Sequence, residues 1–266
     1  MTPVNSTDMN AEAPPLSASR RPRVQALLLA GAAEARELAE RMAATDWISG
    51  VASLAGRTAS PLPQALPTRI GGFGGVAGLH AYLVETGVTH VVDATHAFAA
   101  RISANARAAC RAAGVPLIVF GRPPWRPVAG DKWISVADNH EAAATLGDAP
   151  RRVFLTIGRQ GVADFRRAPQ HDYLLRVIDP PADEDLPPRC TVIAARGPFA
   201  PAEEIALMRE RHIDIIVTKN SGGASTYAKI VGARELGLPV VMIERPPQGD
   251  ASVVYDADAV MRFLAS

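Results

Sequence analysis

The chain has 266 residues, 48% of them apolar and 5% aromatic, and 28 Lys and Arg against 27 Asp and Glu leave a formal charge of +1. Near-neutrality excludes a global field that would gather nucleic acid or an anionic membrane, so any anionic partner must be met by local cations. No run approaches the roughly 18 consecutive apolar residues of a membrane span.

Residues 1–22 mix Pro, Ser, Asn and acids without the apolar centre of a signal peptide, and read as a disordered extension outside the fold. Cys110 and Cys190 lie far apart in no paired motif, which argues against a disulfide framework or a structural metal. Two thiols in a reducing compartment point to the cytoplasm. From there the chain reads as strand and helix in turn. A continuous apolar run at 24–30 predicts a strand buried on both faces of a parallel sheet. Helical spacing at 34–44 puts Ala35, Leu38, Ala39 and Met42 on one side. Strands follow at 51–54 and 69–72, separated by a proline-bearing loop at 58–67. A helix at 76–85 leads to a strand at 90–94 and an Ala-rich helix at 98–113, which Gly114 stops. A fifth strand at 116–120 precedes Arg122-Pro123-Pro124-Trp125.

The second half has the same grammar. Strands are expected at 132–136, 152–157, 173–178, 191–195, 213–218 and 240–243, and helices at 141–146, 201–211, 226–236 and 256–264. This alternation predicts an α/β fold of two Rossmann-like domains, with mostly parallel sheets facing an interdomain cleft. The expected domains are 23–126, binding a dinucleotide, and 127–266, binding substrate.

One internal match ties the halves together. Val91-Val92-Asp93-Ala94-Thr95-His96 leads to Gly114-Val115-Pro116 and on to Arg122-Pro123-Pro124. Ile215-Ile216-Val217-Thr218-Lys219 leads to Gly237-Leu238-Pro239 and on to Arg245-Pro246-Pro247, in step residue for residue. As a repeated β-α-β unit, this makes Thr95-His96 and Thr218-Lys219 equivalent loops at strand carboxyl ends, where ligands bind in open parallel sheets.

The loops after the strands carry the candidate chemistry. Gly31, Ala32, Ala33 and Glu34 join the first strand to its helix, where a phosphate can be held, although the full Gly-x-Gly-x-x-Gly fingerprint is absent and a plain tight turn is the alternative. The second strand ends in Ser53-Leu54-Ala55-Gly56-Arg57-Thr58. In place of the acid that bonds NAD ribose, Arg57 with Ser53 or Thr58 suits a 2′-phosphate and favours NADPH. Gly72, Phe73 and Gly74 offer close backbone approach and a ring for a cofactor face. Thr95 and His96 end the fourth strand, His96 being able to move a proton. Arg101 and Asn105 share a helix face beyond. In the second half Arg159, Arg196 and Lys219-Asn220-Ser221-Gly222 each place a cation beside glycine after a strand, an anion-binding pattern. Tyr227 and Lys229 sit closer together than the Tyr and Lys of short-chain dehydrogenases, a comparison therefore set aside.

Gly71-Gly72-Phe73-Gly74-Gly75, Asp93-Ala94-Thr95-His96, Arg101-Ile102-Ser103-Ala104-Asn105, Arg122-Pro123-Pro124-Trp125, Thr156-Ile157-Gly158-Arg159, Ala195-Arg196-Gly197-Pro198-Phe199 and Lys219-Asn220-Ser221-Gly222-Gly223, in this order, resemble the precorrin-6A reductase family from about residue 24 to 247. Ala32-Ala33 and Ala97 depart from its usual pattern. The resemblance implies a two-domain Rossmann-like fold and NADPH-dependent reduction of precorrin-6A to precorrin-6B in cobalamin biosynthesis. It also implies a carboxylate-edged tetrapyrrole as partner, with no nucleic acid, membrane or metal required. Arg101, Arg159, Arg196 and Lys219 would meet its acid side arms, with Asn220, Ser221 and Gly222 beside them. His96 is the first candidate proton donor and Tyr227 the second. Two other readings are a nucleotide-sugar transferase, for which no UDP-sugar signature is found, and a non-catalytic NADPH-sensing regulator.

Overall fold

The computed structural model describes residues 23–31, 34–56, 62–247 and 249–266. The expected extension at 1–22 and the expected site residues Ala32, Ala33, Arg57 and Thr58 lie outside them.

The first sheet begins with β1 (Val24–Ala30), β2 (Ile48–Leu54) and β3 (Thr68–Ile70), then adds β4 (His90–Ala94) and β5 (Leu117–Phe120). Helices α1 (Glu34–Ala43), α2 (Gly75–Glu85) and α3 (Ala100–Ala113) connect them. Every pairing is parallel, as strands joined by helical crossovers require. The period of two in β1 sorts its side chains cleanly. Leu28 packs with Leu38 and Met42 of α1 on one face, while Leu27 and Leu29 pack with Leu79, Leu83 and Ala109 of α2 and α3 on the other.

The second sheet holds β6 (Lys132–Val136), β7 (Arg152–Thr156), β8 (Asp172–Val177), β9 (Cys190–Ala194), β10 (Ile215–Lys219) and β11 (Pro239–Ile243). These too are all parallel. Helix α4 (Asn139–Thr145) and a 3-10 helix (Arg159–Arg167) cover one face, while α5 (Pro201–Glu210) and α6 (Ala228–Glu235) cover the other.

Both sheets have the same order with the sixth strands exchanged. The first runs β12-β5-β4-β1-β2-β3, where β12 is Val253–Val254; the second runs β6-β11-β10-β7-β8-β9. After β5 the chain leaves as Arg122-Pro123-Pro124 and supplies the edge strand β6 of the other sheet. After β11 it leaves as Arg245-Pro246-Pro247 and returns to supply β12. Paired prolines lack N–H groups and force extended backbone, so neither segment can turn back into a ladder on its own sheet. The expected boundary of 127–266 is therefore corrected at its end. Val253–Val254 pairs with β5, and Val260 and Leu264 of α7 (Ala257–Leu264) enter the core of the first sheet. A two-residue strand carries no periodicity by which to assign it.

The repeated units superpose in their local chemistry. Gly114 and Gly237, which close α3 and follow α6, both adopt left-handed backbone at φ 66° and 64°. Arg122 and Arg245, in step along the sequence, meet: Arg245 Nη1 donates to the Arg122 carbonyl at 2.6 Å.

Candidate functional site at the facing strand ends

The sheet order reverses between β1 and β4, and ligands of such sheets lie beyond the carboxyl ends at that switch point. There Gly31 approaches the next loop so closely that an added Cβ would stand 3.4 Å from His96 N. Beside it opens a cavity of about 620 Å³, within the range of about 300–1,000 Å³ usual for small-molecule sites. It gathers Gly31, Ser53, Gly72, Phe73, Gly74, Thr95 and His96 from four strand ends, together with Arg101 and Asn105. Arg101, expected on the substrate side, thus shares the cavity of the expected cofactor residues.

The glycines of this wall have different reasons to be glycine. Gly71, Gly74 and Gly75 have positive φ, which side chains resist. Gly72 does not, and nothing lies within 4 Å of where its Cβ would be. Neither strain nor crowding within the protein demands glycine there, and its backbone is left open to the cavity. This open cradle fits a dinucleotide. Glu34, by contrast, turns away from the cavity: its carboxylate lies 3.6 Å from Arg122 Nε across the seam between the sheets.

Thr95 is fixed from below. Its N–H and hydroxyl both donate to Oδ1 of the buried Asp93, at 3.1 and 2.7 Å. His96 follows, and its Nδ1 accepts from the Phe98 N–H at 3.3 Å, which leaves the proton of a neutral ring on Nε2. Burial first, then the charges of Arg122, Lys219, Arg245 and Lys229, push the His96 pKa down to about 4. With its pKa lowered this far, the ring is neutral at pH 7. An anionic ligand that offsets those cations should raise its pKa. Titration of the His96 ring signals by NMR should give a midpoint near about 4 without ligand and an upward shift when a carboxylated tetrapyrrole is added. An unshifted midpoint would mean that the cations facing His96 do not meet the ligand.

The second sheet brings its own carboxyl edge to this place. Lys219, the last residue of β10, sets its ammonium 5.3 Å from the centre of the Phe98 ring. The two repeat-equivalent loops therefore face each other. Arg159 and Arg196 follow β7 and β9 on the same edge and are exposed, and Ser221 is half-buried beside them.

Two expected ligand contacts have structural work instead. Asn220 is buried; its Oδ1 accepts from the Trp125 N–H at 2.8 Å, and its Nδ2 donates to the Trp125 carbonyl at 3.1 Å and to Glu244 at 3.3 Å. Gly222 is pressed between Arg245 and the Pro123 carbonyl, with no room for a Cβ. Tyr227 is also displaced from its expected role. Its hydroxyl accepts from Arg234 Nη2 at 2.9 Å, and Arg234 is clamped to Asp131 just ahead of β6. Arg234 lies two helical turns beyond Tyr227, so the phenol is drawn toward the amino edge, away from His96.

Sequence reasoning missed a buried polar cluster behind the second edge. Arg176 of β8 forms a two-pronged ion pair with Glu204 of α5, both side chains buried. Its guanidinium stacks 3.7 Å from the centre of the Phe199 ring. Lys229, buried beside them, donates to the Thr226 carbonyl at 2.8 Å, and burial followed by repulsion from Arg176 brings its pKa down to about 7. An Arg inside a strand pattern and a Glu on a helix were the available signals, and they match those of solvated residues.

The repeated sheet order, with a glycine-walled cavity at the switch point, defines a two-sheet α/β protein of the nucleotide-binding class. The family model described as "Precorrin-6x reductase CbiJ/CobK" matches residues 25–265. The chain is 49% identical over 249 residues to a precorrin-6A reductase of Sinorhizobium sp, covering 94% of this chain and 95% of that one. It is 50% identical over 239 residues to a precorrin-6A reductase of Rhodobacter capsulatus, covering 90% and 95%. A solved structure titled "CobK precorrin-6A reductase" aligns with a TM-score of 0.86 at 50% identity, over 91% of this chain and 96% of that chain. The chain belongs to the precorrin-6x reductase family and is an oxidoreductase. The transferase and regulator readings find no support in these likenesses. Among the described residues no helix is long and apolar enough to cross a membrane, and no group of three or more His, Cys, Asp or Glu is placed to hold a metal ion.

Proposed function

We propose that this chain is a cytoplasmic enzyme that reduces precorrin-6A to precorrin-6B with NADPH, in the building of the corrin ring. The observation that carries this reading is the meeting of the glycine-walled cavity of one sheet with the cationic edge of the other at His96 and Lys219. Bound in the first cavity, the reduced nicotinamide supplies hydride; the protein's part is to hold donor and acceptor carbon together and keep water out. Gly31, Gly72 and Phe73 would hold the dinucleotide, with Asp93 fixing the Thr95 turn that separates it from the seam.

The acid side arms of the macrocycle are assigned to Lys219, Arg159 and Arg196, with Ser221 as a further donor. Their carboxylates would offset the positive field on His96 and raise its pKa, so that Nδ1 takes up a proton in place of the Phe98 contact and the ring, now charged, can pass on the proton of Nε2. Saturating a conjugated bond takes one hydride and one proton, and His96 is the proposed source of the second.

The test is consumption of NADPH, followed by loss of its near-ultraviolet absorbance, when precorrin-6A is supplied to the purified protein. Tight binding of NADPH without consumption would favour the regulator and defeat the reading. A companion variant checks the cavity. Gly72→Val should fold with an unchanged melting temperature, because its Cβ meets open space, yet bind NADPH at least about tenfold more weakly, equivalent to about 1.4 kcal/mol. Unchanged affinity would place the dinucleotide elsewhere.

A further inference from the structure

The Thr95–His96 loop has two sides. One faces the glycine-walled cavity; the other lines a second, narrower pocket of about 30 Å³ at the seam between the sheets. Thr95 and His96 stand in the walls of both, whereas Asp93, Glu34 and Arg245 line the narrow pocket. Ala100, also in its wall, is exposed at the start of α3, so the pocket is reached from the surface.

Asp93, Glu34 and Arg245 each hold one buried polar atom with no hydrogen-bond partner among the described residues: Oδ2, Oε2 and Nη2 in turn. Asp93 is 2% exposed, and its other oxygen is already taken twice by Thr95. Glu34 Oε2 comes no nearer to Arg122 Nε than 3.6 Å. Buried polar atoms are almost always satisfied, and whatever satisfies these must both donate and accept. An anion is repelled by the two carboxylates, and a metal cation by the guanidinium groups of Arg122 and Arg245. Water does both, and the pocket has room for about two molecules at roughly 10–15 Å³ each.

We propose that this pocket is a water inlet, anchored on Asp93, that carries the reaction's proton to His96 from the side of the loop away from the cofactor. The inference rests on the reductase reading above. Each turnover adds a hydride from the nicotinamide to one carbon of the conjugated bond and a proton from His96 Nε2 to the other. His96 must therefore gain one proton from solvent per turnover. Bound macrocycle and dinucleotide would cover the cleft side, where hydride transfer needs water kept out. The narrow pocket gives the other route: solvent protonates the water chain, and the chain passes the proton to His96. Asp93 is a positioning residue in this scheme. Its free oxygen fixes the inner end of the chain, and it lines this pocket and not the cofactor cavity.

The test joins a crystal structure of the full-length protein to its turnover of NADPH and precorrin-6A in light and heavy water. The structure should place an ordered water within hydrogen-bond reach of Asp93 Oδ2; none there overturns the proposal. Asp93→Asn keeps an oxygen for Thr95 and turns the free acceptor into a donor. It should bind NADPH as wild type does by calorimetry, yet lower kcat about 10- to 100-fold, part of the weight of positioned proton transfer. Its solvent deuterium isotope effect should rise above that of wild type, because proton supply becomes the slow step. Ala100→Leu narrows the pocket from the surface without touching Asp93, and should move kcat and the isotope effect in the same direction. Loss of NADPH affinity and rate together, with the isotope effect unchanged, would show an aspartate that only shapes the loop. An unchanged kcat in both variants would show that the proton arrives by another way; each result overturns the inlet. Wild type that consumes no NADPH would sink the reductase reading itself, and this is seen before any variant is made.

Discussion

Gly222→Ala should destabilise the protein by about 2–5 kcal/mol, summing a left-handed backbone cost of about 1–2 kcal/mol and an overpacking cost of about 1–3 kcal/mol. The residue has φ 69°, and its missing side chain is where the two crossing connections touch. A Cβ there would land on the Pro123 carbonyl and on the Arg245 guanidinium. Neither can retreat freely. Pro123 belongs to a segment pinned by Asn220, and Arg245 already donates to the carbonyls of Asn220 and Arg122, at 2.7 and 2.6 Å. Gly147→Ala is the control. That glycine also has positive φ, 76°, but nothing lies within 4 Å of its would-be Cβ, so it reports the backbone cost alone. Urea denaturation of both variants separates the two parts. If Gly222→Ala costs no more than Gly147→Ala, the seam is not packed as described.

Glu204→Gln should cost about 3–5 kcal/mol, the usual penalty for leaving a buried charge without its partner. Arg176 would then keep its charge against Phe154 and Phe199, with Lys229 as a second buried cation nearby. Lys229 would lose the support of Glu204 as well, so its pKa should fall further. Arg176→Leu combined with Glu204→Leu removes both charges and fills much of the space, and should recover most of the loss. Denaturant melts of the single and double variants decide the matter. A double variant as unstable as the single one would show that the residues matter for their shape and not for their pairing.

Acid should weaken the fold through histidines that are kept neutral. His96 and the fully buried His171 both have lowered pKa values, in each case chiefly through burial. The unfolded chain therefore binds protons that the folded chain refuses, and stability falls as pH drops below about 6.5, the ordinary histidine value. For His96 the loss continues down to a pKa of about 4. Denaturation midpoints measured across this window should decline steadily. His96→Gln should flatten the decline, and an unchanged slope in that variant would remove His96 as a source.

Most of the architecture was legible along the chain because its causes are local. The apolar run of β1, the spacing of α1, the stop at Gly114 and the prolines after β5 and β11 each act within a few residues. The repeat of Thr95 to Arg122 in Thr218 to Arg245 was visible for the same reason, since equal spacing needs no coordinates. Gly31, Ser53, Gly72, Phe73 and Thr95 were placed on one rim by topology alone, because strand ends of a parallel sheet come together wherever loops are short.

Contacts between distant segments were not legible in this way. Nothing near residue 253 reveals that two valines complete a sheet begun more than two hundred residues earlier; the pairing exists because β5 offers an open edge and α7 has an apolar face to bury. Asn220 and Gly222 looked like ligand loops, and only the folded chain turns them toward Pro123 and Trp125. The charge state of His96 was likewise out of reach. A pKa depends on desolvation and on cations brought together from the ends of β5, β10 and β11, and these act through space at distances that spacing along a chain does not encode.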